Sequence, residues 1–166
     1  MSTTTTTTTS TVKKGLAKTP RLDGSQLNII IVRTLWNKEI IDALTTGCIE
    51  ELHQSGVKRV KVVEVPGAFE LPLACKKLIA SSQEPIDAVV AIGCLIKGDT
   101  PHFEYICGAT SQGLMDVGLN TGVPIIFGVL TVLTVEQAEI RAGLKPGMHN
   151  HGPEWAAAAI RMSHLD

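Results

Sequence analysis

Apolar residues gather in four short runs separated by longer stretches with a helical repeat. Residues 27–32 (LNIIIV), 60–65 (VKVVEV), 88–92 (AVVAI) and 123–129 (VPIIFGV) are rich in β-branched side chains and bounded by polar or turn residues, which predicts strands. Residues 39–54, 69–81 and 101–119 lie between these runs, and 135–142 and 154–164 follow the last; their apolar spacing predicts helices. Strand and helix alternate, with connections long enough to cross over. The expected fold class is therefore α/β: a three-layer α/β/α sandwich on a four-stranded parallel sheet. The 60–65 run alternates more than the others, which suits an edge strand. In such sheets ligands bind beyond the carboxyl ends of the strands. That directs attention to residues 33–37, 66–70, 93–102 and 128–131.

The first 22 residues are a different material. Seven consecutive threonines, Thr3 to Thr9, are followed by Lys13, Lys14, Lys18 and Arg21 with no acid among them. A tail disordered at least through residue 11 is expected, ahead of a single domain over 23–166. The tail lacks both the amphipathic face of a transit peptide and the apolar centre of a signal peptide, so a cytoplasmic location is expected. Of 15 basic and 16 acidic residues in the chain, four of the basic ones lie in this tail, so the body is acidic although the formal total is only −1. Such a balance argues against a nucleic-acid binder. No apolar stretch approaches the roughly 20 residues of a membrane span.

Composition adds two constraints. Apolar residues make up 44% of the chain but aromatic ones only 4%, so the core must be aliphatic. The six rings, Trp36, Phe69, Phe103, Tyr105, Phe127 and Trp155, are thus worth locating. Cys48, Cys75, Cys94 and Cys107 are far apart in apolar surroundings and form no Cys-x-x-Cys pair, the pattern of reduced, buried thiols. His149-Asn150-His151 has the spacing of a metal-binding pair but lacks an evident third ligand, so no metal is expected.

The richest segment is 93–102 (GCLIKGDTPH), which leaves a buried strand and enters a helix. Thr100 suits the N-cap position and Pro101 the first helical one. A helix start with free N–H groups, a preceding glycine and a nearby lysine reads as an anion site or as an ordinary cap. His102 falls in the first turn, where it is either a proton shuttle or a solvated side chain. In 65–72 (VPGAFELP), Pro66 and Gly67 set a turn straight after a strand and the small Ala68 lets a ligand approach. Phe69 and Glu70 then open the next helix with a ring face and a carboxylate. Trp36 follows the first strand as another ring at the carboxyl edge. Arg141 ends a helix, where it complements the dipole or holds an anion.

Taken together, 65–72, 93–105 (GCLIKGDTPHFEY), 124–131 (PIIFGVLT) and 137–143 (QAEIRAG) resemble, in order and spacing, the lumazine synthase family of riboflavin biosynthesis. The resemblance spans roughly residues 25–164 and is closest to fungal-type pentameric members. It implies a flavodoxin-like sheet and a cofactor-free condensation of 5-amino-6-(ribitylamino)uracil with 3,4-dihydroxy-2-butanone 4-phosphate. It implies His102 as general acid/base, and Gly98, Asp99, Thr100 and Arg141 around the phosphate. Trp36 would stack on the pyrimidine, Ala68, Phe69 and Glu70 would contact the ribityl chain, and backbone groups of Cys94, Leu95 and Ile96 would read the ring edge. Phe127 would reach a neighbouring subunit's site, since family sites lie between subunits of a pentamer. Residues 147–152 (GMHNHG) are longer than the bacterial Gly-Asn-Lys-Gly pattern, a feature that accompanies free pentamers rather than 60-subunit shells.

Overall fold

A computed structural model describes residues 20–165. Among them, four parallel strands, β1 (Asn28–Thr34), β2 (Arg59–Val65), β3 (Ala88–Ile96) and β4 (Ile125–Val132), form one sheet in the order β2-β1-β3-β4. Five helices accompany them: α1 (Lys38–Gln54), α2 (Leu71–Ser81), α3 (His102–Thr121), α4 (Val135–Arg141) and α5 (Gly152–Met162). Helices α1, α4 and α5 cover one face and α2 and α3 the other, giving the expected three-layer α/β/α, flavodoxin-like arrangement.

The two faces explain the sequence pattern. Ile29 and Ile31 point toward α1 and α5, whereas Ile30 and Val32 point toward α2 and α3. A strand covered on both sides must be apolar throughout, and β1 is buried at all four of these positions. Each such side chain contributes about 1.5–3 kcal/mol of transfer free energy. Strand β2 lies at the edge, as its alternation predicts, and most of its residues are exposed or half-buried. The core is aliphatic, with leucine, isoleucine, valine and alanine plus Cys48, Cys75 and Cys94.

The tail through residue 19 lies outside the described residues. Arg21 and Leu22, assigned to it on composition, instead pack on the body. Arg21 bonds Glu51 at 2.9 Å, and Leu22 lies against the core. Two strands also run further than their composition suggests. The β3–β4 ladder continues from Gly93 opposite Val129 to Ile96 opposite Val132. Backbone pairing with a neighbour sets these ends, so 93–96 and 128–131 belong to strands rather than to the loops after them.

Candidate active site

The chain leaves β1 toward β2 on one side and later returns to place β3 on the other. The carboxyl ends of β1 and β3 therefore flank a topological switch point. A cavity of about 560 Å³ opens there. That volume lies within the ordinary range for small-molecule sites.

Two strand ends, two connections and one helix start wall it. Thr34 ends β1, Trp36 and Asn37 come from the β1–α1 connection, Gly67, Ala68, Phe69 and Glu70 from the turn after β2, Cys94, Leu95 and Ile96 from the end of β3, and His102 and Ile106 from α3. Trp36 is 72% exposed and Phe69 59%, so two of the scarce rings present open faces at the cavity rather than filling the core. Eight of the residues singled out in sequence thus meet in one place: Trp36, Ala68, Phe69, Glu70, Cys94, Leu95, Ile96 and His102.

The turn after β2 differs in detail from expectation. Ala68–Glu70 form a 3-10 turn, with the Glu70 N–H donating to the Gly67 carbonyl at 3.3 Å, and α2 begins only at Leu71. Phe69 and Glu70 therefore stand ahead of the helix, displayed by the tighter turn.

The β1–β3 ladder ends at Arg33 opposite Ile92, so the last residues of β3 extend beyond their partner strand. Asn37 reaches across this gap, and its Nδ2 donates to the Cys94 carbonyl at 3.0 Å. Asn37 also adopts a left-handed backbone, φ 56° and ψ 50°, which asparagine tolerates better than most side chains. Its position before α1 suggests an N-cap by residue type, yet its side chain caps nothing and spans to β3 instead. Burial pushes the Cys94 thiol up to about 11, which keeps it protonated at neutral pH and unsuited to nucleophilic attack.

The start of α3 also departs from expectation. Thr100 is not the N-cap. Pro101 holds that place with φ −64° and ψ −1°, and its carbonyl accepts from the Tyr105 N–H at 3.3 Å. Thr100 is one residue too early, and Pro101 has no side-chain acceptor to cap α3. The amides of residues 102–104 have no acceptor within the helix. Lys97 is committed to an ion pair with Glu104, which holds that carboxyl below its usual range. Gly98, Asp99 and Thr100 are exposed ahead of this helix, and a Cβ at Gly98 would meet nothing within 4 Å.

Phe127 and Arg141 are not among the residues lining the cavity. Phe127 is the third residue of β4, lies opposite Ala91, and is 42% exposed. Arg141 ends α4, where its Nη1 donates to the Gln137 carbonyl at 3.0 Å. His149 and His151 both turn to Glu154, at 3.2 and 2.8 Å.

Comparison with known proteins agrees with this architecture. The sequence profile described as 6,7-dimethyl-8-ribityllumazine synthase matches residues 26–166. A protein of that name from Schizosaccharomyces pombe is 48% identical, over 85% of this chain and 89% of its own length. One from Pyricularia oryzae is 44% identical over 84% of this chain and 88% of its own, and one from Kineococcus radiotolerans 48% over 84% of each. With a profile match across nearly the whole described chain and relatives of this similarity, the chain belongs to the 6,7-dimethyl-8-ribityllumazine synthase family.

Proposed function

We propose that the cavity at the switch point is one half of an intersubunit active site and carries out the family's reaction. The chain is an enzyme of riboflavin biosynthesis. It condenses 5-amino-6-(D-ribitylamino)uracil with 3,4-dihydroxy-2-butanone 4-phosphate to give 6,7-dimethyl-8-ribityllumazine. The amine attacks the ketone and loses water as an imine forms, phosphate is eliminated, and ring closure expels a second water.

The observation that carries the reading is the meeting of two open aromatic faces with His102 at an uncapped helix start. Trp36 stacks on the pyrimidine, and Ala68, Phe69 and Glu70 contact the ribityl hydroxyls. Cys94, Leu95 and Ile96 offer backbone groups where β3 outruns β1. His102 moves protons between the amine, the carbonyl oxygen and the departing groups. Gly98, Asp99 and Thr100 hold the phosphate with backbone amides at the positive end of the 20-residue α3. Asp99 contributes only its N–H, because its carboxylate repels the anion.

Arg141 completes the phosphate site and Phe127 the aromatic wall, both supplied to the cavity of the next subunit in a homopentamer. Support comes from their absence from their own chain's cavity. The apolar surface left exposed by Tyr105, Met115, Leu119 and Phe127 is the kind a neighbouring copy covers. Cys48, Cys75, Cys94 and Cys107 are all unpaired, in keeping with a reducing cytoplasm. No helix among the described residues is long and apolar enough to cross a membrane.

The test is to mix the purified protein with both substrates and follow lumazine absorbance together with phosphate release. Turnover above the spontaneous background is expected, and its absence would sink the assignment. Native mass spectrometry is expected to give five copies, and a 60-mer would overturn the pentamer.

A further inference from the structure

We propose that Asn150 is a positioning residue for phosphate binding, fixing the carboxyl end of α4 against α1 and so setting where the Arg141 guanidinium stands. The proposal rests on the reading of Arg141 as a phosphate ligand. Helix α4 has only seven residues, too few to hold its own place. Its first turn is held by Thr134, whose Oγ1 accepts from the Gln137 N–H at 3.2 Å. Its last turn needs an anchor from elsewhere.

Asn150 provides one from two directions. Its Nδ2 donates to the Ala43 carbonyl of α1 at 2.8 Å, while its Oδ1 accepts from the Gly152 N–H at 2.7 Å. Its backbone pairs in an antiparallel bridge with Ala142, and the next N–H, of His151, donates to the Arg141 carbonyl at 3.0 Å. The side chain is closely seated. A Cβ on Gly47 would stand 3.0 Å from the Asn150 amide, and one on Gly143 would stand 3.0 Å from its Cβ. Gly143 also has φ +71°, so a side chain there is excluded on two grounds.

The connection after α4 thus closes on itself at Asn150, directly beside Arg141, and is tied to α1 through one amide. The Arg141 guanidinium already bonds the Gln137 carbonyl of its own helix, so its position follows wherever this end of α4 is clamped. Small displacements of a group that binds a reacting substrate are costly to catalysis.

The test uses the intact enzyme and steady-state kinetics for both substrates in Asn150→Ala, Arg141→Ala and the double variant. Asn150→Ala is expected to raise KM for the butanone phosphate about 5- to 10-fold, leaving kcat and KM for the pyrimidine within about twofold. In the Arg141→Ala background it should add nothing beyond about twofold, because it acts through Arg141. Asn150→Asp keeps the bond from Gly152 but loses the donor to Ala43. It should shift the same KM in the same direction, and it replaces Asn150→Ala if that variant does not fold. Equal damage to both KM values, or an effect fully additive with Arg141→Ala, would overturn the positioning role. So would unchanged kinetics in both Asn150 variants when Arg141→Ala raises KM. An unchanged KM in Arg141→Ala itself would remove the phosphate reading and this inference with it.

Discussion

The indole of Trp36 lies against Gly67: a Cβ placed on Gly67 would stand 3.5 Å from Trp36 Cδ1 and 3.2 Å from Glu70 Oε2. One small residue after β2 therefore lets a ring from the β1–α1 connection and a carboxylate from the 3-10 turn share the same wall. Gly67 has φ −151°, extended backbone open to any residue, so the requirement is space rather than conformation. Gly67→Ala should be mild, because the tight contact is with the movable end of Glu70. Gly67→Val should displace the indole and raise KM for the pyrimidine substrate clearly more than alanine does. Trp36→Ala should weaken that substrate by about 1–3 kcal/mol, the usual contribution of stacking on a base. Steady-state KM values check all three, and quenching of Trp36 fluorescence on adding the pyrimidine reports the stack directly.

His102 is exposed on the first turn of α3 at the edge of the cavity. His102→Ala should lower kcat by roughly tenfold, less than the usual range for a general acid or base, because the partners react slowly once held together. Both KM values should change little. Single-turnover absorbance measurements would show the loss, and an unaltered rate would remove His102 from proton transfer.

How much of this was legible in the sequence depends on which forces set each feature. The strands announce themselves because β1 and β3 are buried on both faces and must be apolar throughout, and edge strand β2 betrays itself by alternation. The ends of β3 and β4 do not, since their length comes from pairing with each other across Gly93 and Gly128. Thr100 has the right chemistry for a cap, but the backbone at Pro101 moves the helix start beyond its reach. Local motifs identified eight of the twelve residues that line the cavity as candidate site residues. Asn37 and Asn150 escaped because their partners, the carbonyls of Cys94 and Ala43, are 57 and 107 positions away in the chain. Arg141 and Phe127 are visible as residues of a family motif, yet a single chain does not bring them to its own cavity.

The anion-binding role proposed for the segment ahead of α3 can be probed by charge. Asp99 is exposed beside the helix start, and its carboxylate would oppose an incoming phosphate. Asp99→Asn keeps the backbone amide and removes the repulsion. It should lower KM for the butanone phosphate by about two- to threefold at low salt, with the gain shrinking as ionic strength rises because exposed charges are screened. Kinetics at two salt concentrations decide it, and a raised KM would mean that the carboxylate itself holds the substrate.

Cys94 lines the site, but its thiol is raised by burial to about 11, so catalysis should not depend on it. Cys94→Ala retains the carbonyl that accepts from Asn37 and should keep kcat within about threefold of the parent. With iodoacetamide near neutral pH the half-buried Cys107 should label first, although its thiol too is shifted upward, by burial and then by Glu104. Peptide mapping identifies the labelled residue. Rapid labelling of Cys94 accompanied by loss of activity would contradict the buried, protonated thiol.

The buried thiols also contribute to the loss of stability at alkaline pH. Burial raises Cys48 and Cys75 from 9.0 to about 12, so above pH 9 the unfolded chain releases protons that the folded chain retains. The unfolded state then binds fewer protons, and the unfolding free energy falls as pH rises. The stabilising contribution is fully present below about pH 9 and is lost progressively toward pH 12. Urea midpoints should therefore stay level in this contribution from neutral pH to about 9 and decline above it. Replacing both cysteines with alanine lowers the whole curve by opening small cavities, but it should flatten the alkaline decline. The slope rather than the offset is the readout, and an unchanged slope in the double variant would assign the alkaline loss to other groups.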